Sequence, residues 1–493
     1  MKTTNQNLSD YFKKYRENIV GIDEIIESPY GGMPLVYTDW TASGRLYAPI
    51  ENKIRDEFGP FVANTHTKTS YTGSLMTTAY EEARKIIKKH VNAHDDDILI
   101  LTGHGMTGAV NKLQRILGLK INERYKDAIT IHENERPIVF VTHMEHHSNQ
   151  TSWLETIADV EIIPYKDERH LDFEAFAELI DKYQDRKLKI ASVTACSNVT
   201  GVEPDYQRVA SMIHAAGGCC FVDFACSAPY VDIDMHPEDE SQQLDAIFFS
   251  PHKFLGGPGT SGVLIFNKKF YQNTIPDNPG GGTVLWTNPW GEHKYYDDPE
   301  TREDGGTPGF LQAIRTALAI KLKEEMGTDN IRAREHEILQ KLLPAFKNIP
   351  NLTLLADKFT NRLGVLSFMI EGLHNNLGVK MLNDRFGIQT RGGCSCAGTY
   401  GHILLHVDQD TSHEIAHEIE EGCTENKPGW MRLSIHPTTT DQEVSYIINA
   451  VSQLARNHQK WADDYILDGN DFVHKQYDDR ATIHKIVVNW FKI

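Results

Sequence analysis

The chain has 493 residues, long enough to bury the cores of two domains, with 50 Lys and Arg against 68 Asp and Glu for a net charge of −18. That acidity excludes a general nucleic-acid binder or a protein drawn to acidic membranes. Seven cysteines scattered through a chain of this length, several of them inside apolar runs, suit reduced thiols rather than a disulfide framework. The first seven residues are polar, with no secretory apolar stretch, and no run is long or apolar enough to span a bilayer. The expectation is a cytoplasmic enzyme.

In chain order, the first informative element is an apolar strand over 98–101. It is followed by Thr102-Gly103-His104-Gly105-Met106-Thr107-Gly108 and then a helical pattern from Ala109. Strand, glycine turn and helix start form a place where backbone N–H groups gather around an anion. Further strands are expected at 138–141, 190–194 and 219–223, the last ending on Asp223. Ser250-Pro251-His252-Lys253 then lies between apolar strands at 246–249 and 262–266. A lysine held between two core strands is an unusual place for a hydrated ammonium. Burial disfavours its charge and prepares the amine to attack a carbonyl. Pyridoxal phosphate (PLP) asks for such a lysine, a carboxylate for its ring nitrogen and an anion site for its phosphate. Taken singly, each feature has an ordinary reading: a loop lysine, a strand-end aspartate, a glycine turn that binds nothing.

The alternation of strands and helices predicts an open, largely parallel α/β sheet, with the candidate residues at or just after strand ends. Helices at 312–326 and 330–343 lead out of it. Strands at 352–355, 365–370 and 432–435, closed by a helix at 441–456, read as a smaller α+β domain. The expected division is an N-terminal extension at 1–36, a large cofactor domain at 37–328, a small domain at 329–460 and a C-terminal extension at 461–493.

Taken together, these motifs resemble those of the class V, fold-type I PLP enzymes, and among them most nearly the group II cysteine desulfurases and selenocysteine lyases. The resemblance covers about 37–456 and keeps the family's motif order. It implies that Met106 and Thr107 in Gly105-Met106-Thr107-Gly108 belong to the phosphate cup. His146 in Glu145-His146-His147-Ser148-Asn149 would stack on the cofactor ring and take part in catalysis. Asn198 in Ser197-Asn198-Val199-Thr200-Gly201 would contact the phenolic oxygen and the substrate. Asp223 and Ala225 match the pyridinium-binding Asp-x-Ala, and Ser250, His252 and Lys253 match the Schiff-base motif. Gly280-Gly281-Gly282-Thr283 resembles the turn that reaches the partner subunit's phosphate, which implies a homodimer. Residues 461–493 have no family counterpart in this reading.

The substrate side is carried by Thr390-Arg391-Gly392-Gly393-Cys394-Ser395-Cys396-Ala397-Gly398, which resembles the family's cysteine loop, with Cys396 in the nucleophile register. A thiolate is the side chain that takes sulfur from bound cysteine. Arg432 in Met431-Arg432-Leu433-Ser434 matches the arginine that grips the substrate α-carboxylate, a bidentate task suited to a guanidinium. Two features depart from the family. Cys394-Ser395 stands where two histidines are common, and Cys226 replaces the glutamine after Asp-x-Ala. The Cys394-x-Cys396 pair lies near His402, His406, His413 and His417 but lacks a second ligand pair at zinc spacing, so no metal is expected.

The function expected is a PLP-dependent carbon–sulfur or carbon–selenium lyase acting on an amino acid, with Lys253 as Schiff-base lysine, Cys396 as candidate sulfur acceptor and a protein as one candidate for the onward acceptor. An aminotransferase or epimerase on the same scaffold is the alternative.

Overall fold

The computed structural model describes residues 7–422, 427–469 and 471–493. Its backbone contacts divide into two units. The larger comprises 42–197 and 202–331; the smaller gathers 1–41, 198–201 and 332–493.

The larger unit is built on a seven-stranded sheet. Its strands are β1 (Asp97–Thr102), β2 (Ile138–Val141), β3 (Asp159–Ile162), β4 (Lys189–Thr194), β5 (Cys219–Asp223), β6 (Ala246–Phe249) and β7 (Gly262–Asn267). Their order across the sheet is β1-β7-β6-β5-β4-β2-β3. Five neighbouring strands, β3 to β6 and β2, run parallel; β7 is antiparallel to both β6 and β1. Strands β2, β4, β5 and β6 are buried at every position, as a parallel sheet covered on both faces requires. The period of two sorts their side chains. Ile138 and Phe140 join the core on one face with Phe176 and Ile213, while Val139 and Val141 join the other with Val110 and Leu113. Strand β3, Asp-Val-Glu-Ile, is half exposed at the sheet edge and has no apolar run to announce it. Helices α1 (Gly105–Ile116), α2 (His147–Leu154), α3 (Tyr206–Ala215) and α4 (Phe310–Met326) belong to this unit.

The smaller unit carries an antiparallel sheet of β8 (Leu352–Leu354), β9 (Val365–Ile370), β10 (Arg391–Gly393) and β11 (Trp430–Ser434), in the order β8-β9-β11-β10. Its core joins Leu366, Phe368 and Leu433 to Met381 and Leu382 of α5 (Asn375–Phe386) and to Ile447 and Val451 of α6 (Asp441–Ala462). A capping box of Thr440 and Glu443 fixes the start of α6. Gly387 ends α5 in the left-handed region, where a Cβ would lie 2.0 Å from the Pro34 carbonyl oxygen. That close approach lets Val36–Tyr37 pair in parallel with Ile388–Gln389. Beyond α6 the chain forms a hairpin of β12 (Tyr465–Asp468) and β13 (Asp471–His474) and a last helix, Arg480–Trp490. Among the described residues no helix is long and apolar enough to cross a membrane.

Most expected elements occur with ends shifted by a few residues. The strand expected at 432–435 is Trp430–Ser434, and the helix expected at 441–456 runs on to Ala462.

Candidate active site

In the larger unit three chain segments converge at the carboxyl ends of the central strands. The β1–α1 turn requires glycine: Gly105 has φ +61°, and a Cβ there would meet Ser250 Oγ at 2.8 Å and His252 Cε1 at 3.0 Å. The absence of a side chain lets Met106 N–H, in the first turn of α1, donate to Ser250 Oγ at 2.8 Å. Thr107 Oγ1 lies 2.6 Å from Ser148 Oγ in the first turn of α2. The Ser250, Thr107 and Ser148 hydroxyls, the N-terminus of α1 and the His252 imidazole thus gather at this turn, packed closely enough to leave no room for a Cβ at Gly105. That donor set fits a phosphate monoester. Burial, and then the Lys253 charge, push His252 down to about 4, so its ring is neutral near pH 7.

Asp223 ends β5 and is 3% exposed. Its Oδ1 accepts the Ala225 N–H at 2.7 Å. Burial raises its pKa to about 6, against the opposing pull of that N–H and of the Lys253 charge. A nearly inaccessible carboxylate that gains by facing a cation fits a protonated ring nitrogen. Lys253 closes the single turn Pro251–Lys253 that follows β6, its N–H donating to the Ser250 carbonyl at 3.1 Å. His146 caps α2, with Nδ1 accepting the Ser148 N–H at 3.1 Å, which leaves the ring proton on Nε2. Thr283 is fully buried in its own turn, where its hydroxyl donates to the Gly280 carbonyl and accepts the Gly280 N–H.

The smaller unit holds Asn198, Arg432 and the cysteine loop. Arg432, on β11, is 3% exposed. Its Nη2 meets Asp39 Oδ1 at 2.8 Å and its Nη1 donates to the Asn198 carbonyl at 3.1 Å. Arg391, paired with Arg432 across the β10–β11 ladder, holds the other Asp39 oxygen at 3.0 Å. The cysteine loop turns sharply. Ser395 and Cys396 have φ +53° and +58°, and the Ala397 N–H closes the turn on the Cys394 carbonyl at 3.1 Å. Two consecutive left-handed non-glycine residues give a type I′ turn, at a cost of roughly 1–2 kcal/mol each. The turn is clamped at its centre: Asn198 Nδ2 donates to the Ser395 carbonyl at 2.7 Å and Trp430 Nε1 to Ser395 Oγ at 3.2 Å. Ser395 and Ala397 are thereby buried and Cys396 is left exposed. Cys196, Cys219, Cys220 and Cys226 are buried, and burial pushes the Cys219 and Cys220 thiols well up. Among the six described cysteines only Cys394 and Cys396 are reachable thiols.

The structure therefore brings Met106, Thr107, Ser250 and His252 together in the larger unit, with Asp223 near enough to Lys253 to feel its charge. In the smaller unit it joins Asn198, Arg432 and the Cys396 turn. Sequence reasoning gave no role to Glu145 or Asp39. Glu145 is wholly buried and accepts from Thr142 Oγ1, Asn149 Nδ2 and the Thr194 N–H at 2.6, 2.7 and 2.8 Å. Burial nonetheless raises its pKa to about 8, so it is mostly protonated at neutral pH. A glutamate at the end of an apolar strand was the available signal. Asp39 offered none, because its partner Arg432 lies 393 residues away. Among the described residues no three His, Cys, Asp or Glu side chains form a group able to hold a metal ion.

Comparison with known proteins places this geometry in context. The family model for aminotransferase class-V matches residues 36–447. A probable cysteine desulfurase from Halalkalibacterium halodurans is 29% identical over 381 residues, covering 76% of this chain and 86% of that protein. One from Staphylococcus epidermidis is 30% identical over 379 residues, with the same two coverages. Among solved structures, the apo cysteine desulfurase of Thermococcus onnurineus NA1 matches with a TM-score of 0.71 at 23% identity, over 90% of this chain and 98% of that one. At that identity the structural match bears on the fold alone.

Proposed function

Since this chain belongs to the aminotransferase class-V family of PLP-dependent enzymes, we propose that it is a desulfurase-like lyase that takes sulfur, or selenium, from an amino acid onto Cys396. The observation that carries this reading is the bonding of Asn198 to both halves of the substrate side. Its carbonyl accepts from Arg432 and its amide clamps the Cys396 turn. The desulfurase names of the relatives support the same reaction class.

The roles follow from the residues. Met106 N–H, Thr107, Ser250 and His252 would hold the phosphate, and Asp223, with Ala225 beside it, would keep the ring nitrogen protonated. His146 would contact the ring, and Lys253 would supply the amine for the covalent link. When bound, the cofactor supplies an electron sink for charge developing at the substrate carbons. Arg432, held flat by Asp39, takes the α-carboxylate, and Lys253 moves protons at the α- and β-carbons. The Cys396 thiolate attacks the substrate sulfur. A sulfur–sulfur bond forms, the carbon–sulfur bond breaks with its electron pair left on the β-carbon, and that carbon takes a proton to give alanine. The loop from Thr390 to Gly398 carries no histidine for proton transfer, and Ser395 is held by its bonds to Asn198 and Trp430.

A homodimer is part of the proposal. Gly280 and Gly281 lie open at the surface, next to a hairpin that exposes Leu285, Trp286 and Trp290, the last by 83%. A second copy covering that hairpin would bury a large apolar patch. A cytoplasmic setting fits the reduced thiols.

The test is product partition. The purified enzyme is supplied with cysteine, selenocysteine and a panel of other amino acids, with and without a 2-oxo acid. With a dithiol present to reduce the Cys396 persulfide, sulfide and alanine in equal amounts are expected from cysteine, the dithiol leaving as its disulfide. Amino transfer to the 2-oxo acid without sulfide would overturn the proposal in favour of an aminotransferase.

A further inference from the structure

Cys396 opens into a cavity of about 810 Å³ in the smaller unit, within the range of small-molecule sites. One wall is the cysteine loop itself, from Arg391 through Cys394 to Cys396. The facing wall includes Leu467 of β12 and Phe472 of β13, and Lys427 lines the rim. The hairpin lies beyond the family match, which ends at residue 447. The charge of the cavity is opposite to that of the protein. Among the described residues its lining holds Arg391 and the exposed Lys427 and no Asp or Glu, although the chain as a whole carries −18. One carboxylate, Asp39, faces Arg391 from outside the lining. An apolar wall, a cationic rim and two reachable thiols form a site for a small anion that reacts with sulfur.

We propose that this cavity binds a low-molecular-weight thiol bearing a carboxylate, which collects the sulfur left on Cys396. The inference rests on Cys396 being the sulfur acceptor. The carboxylate lies toward Lys427 and Arg391, and the carbon chain lies against Leu467 and Phe472. The thiolate attacks the outer sulfur of the Cys396 persulfide. A new sulfur–sulfur bond forms to the acceptor, the old one breaks, and Cys396 leaves as a thiolate. The acceptor departs as its own persulfide, carrying the proton of the outer sulfur. The sulfane sulfur is handed over at unchanged oxidation level, so no external oxidant or reductant enters the step. A small acceptor of this kind removes the need for a protein acceptor.

The experiment uses the full-length holoenzyme. It is first charged with one equivalent of cysteine, and persulfide on Cys396 is measured by mass spectrometry of the cysteine-loop peptide. Mercaptoacetate or the neutral mercaptoethanol is then added at equal thiolate concentration, and decay of the persulfide is followed. Mercaptoacetate should discharge it about tenfold faster at low ionic strength, a modest value for one partly screened ion pair. The preference should disappear in Lys427→Glu and at high salt, and Phe472→Ala should slow both thiols. Equal rates for the two thiols in the parent enzyme, or a preference unaltered by Lys427→Glu, would overturn the site. Failure of cysteine to charge Cys396 at all would instead overturn the sulfur-transfer reading and, with it, this role for the cavity.

Discussion

The cofactor cluster of the larger unit and the cysteine turn of the smaller unit obtain their geometry by opposite means. Around Asp223 and Gly105 the chain is buried, with Lys253 half-buried beside them; the strands are solid apolar runs, and the backbone outlier is glycine. At Ser395 and Cys396 two ordinary residues are left-handed, and side chains of distant segments clamp them there. On the proposed reading, the lysine that stays covalently engaged follows a buried strand, and the thiol that receives and then releases an atom stands exposed on a clamped turn.

The strongest way to break the buried side is Lys253→Ala. It should abolish turnover and remove the visible absorption of the bound cofactor, read in one spectrum before substrate is added. Next in size is Arg432. Replacement by alanine leaves Asp39 facing Arg391 alone and removes the carboxylate fork, and KM for the amino acid should rise on the order of a hundredfold. Arg432→Lys keeps the charge without the fork and should recover only part of that loss, as steady-state kinetics would show. Gly105→Ala sharpens the phosphate reading. Its Cβ would have to displace Ser250 Oγ and would hold a side chain at positive φ, so cofactor affinity should fall about tenfold or more with the fold retained.

A test away from turnover concerns Glu145 and is read as stability against pH in the cofactor-free protein. The unfolded chain gives up this proton near 4.5, whereas the folded chain holds it to about 8. Between those values the folded state binds more protons, so this group makes stability fall as pH rises. Glu145→Gln cannot ionise. Denaturant titrations should therefore show its stability gaining steadily on the parent from about pH 5 to about pH 8. A constant difference across that range would mean that Glu145 is ionised throughout.

The two regions also differed in how far the sequence disclosed them. Strands Ile138–Val141, Cys219–Asp223 and Ala246–Phe249 are legible to the residue because each is a short apolar run buried on both faces. The candidate cofactor residues follow from their places at the ends of such runs. Edge strand Asp159–Ile162 carries two acids and escaped notice, and the hairpin of β12 and β13 mixes Asp with aromatics and has no simple period. On the substrate side, motif order pointed to Cys396 and Arg432, but their supports are long-range. Asp39 reaches Arg432 and Asn198 reaches Ser395 across hundreds of residues, and neither contact has a local pattern.

The central claim is that Cys396, raised on its clamped turn, is the atom that accepts sulfur. The direct measurement is mass mapping of every cysteine after a single equivalent of cysteine is given to the holoenzyme and to its Cys396→Ser variant. The account predicts one added sulfur on Cys396 in the parent enzyme and none on Cys196, Cys219, Cys220 or Cys226. It predicts no added sulfur anywhere in the variant, with the visible absorption of the cofactor intact. Alanine and sulfide released at the parent rate by Cys396→Ser, or sulfur found on a buried cysteine instead, would contradict it.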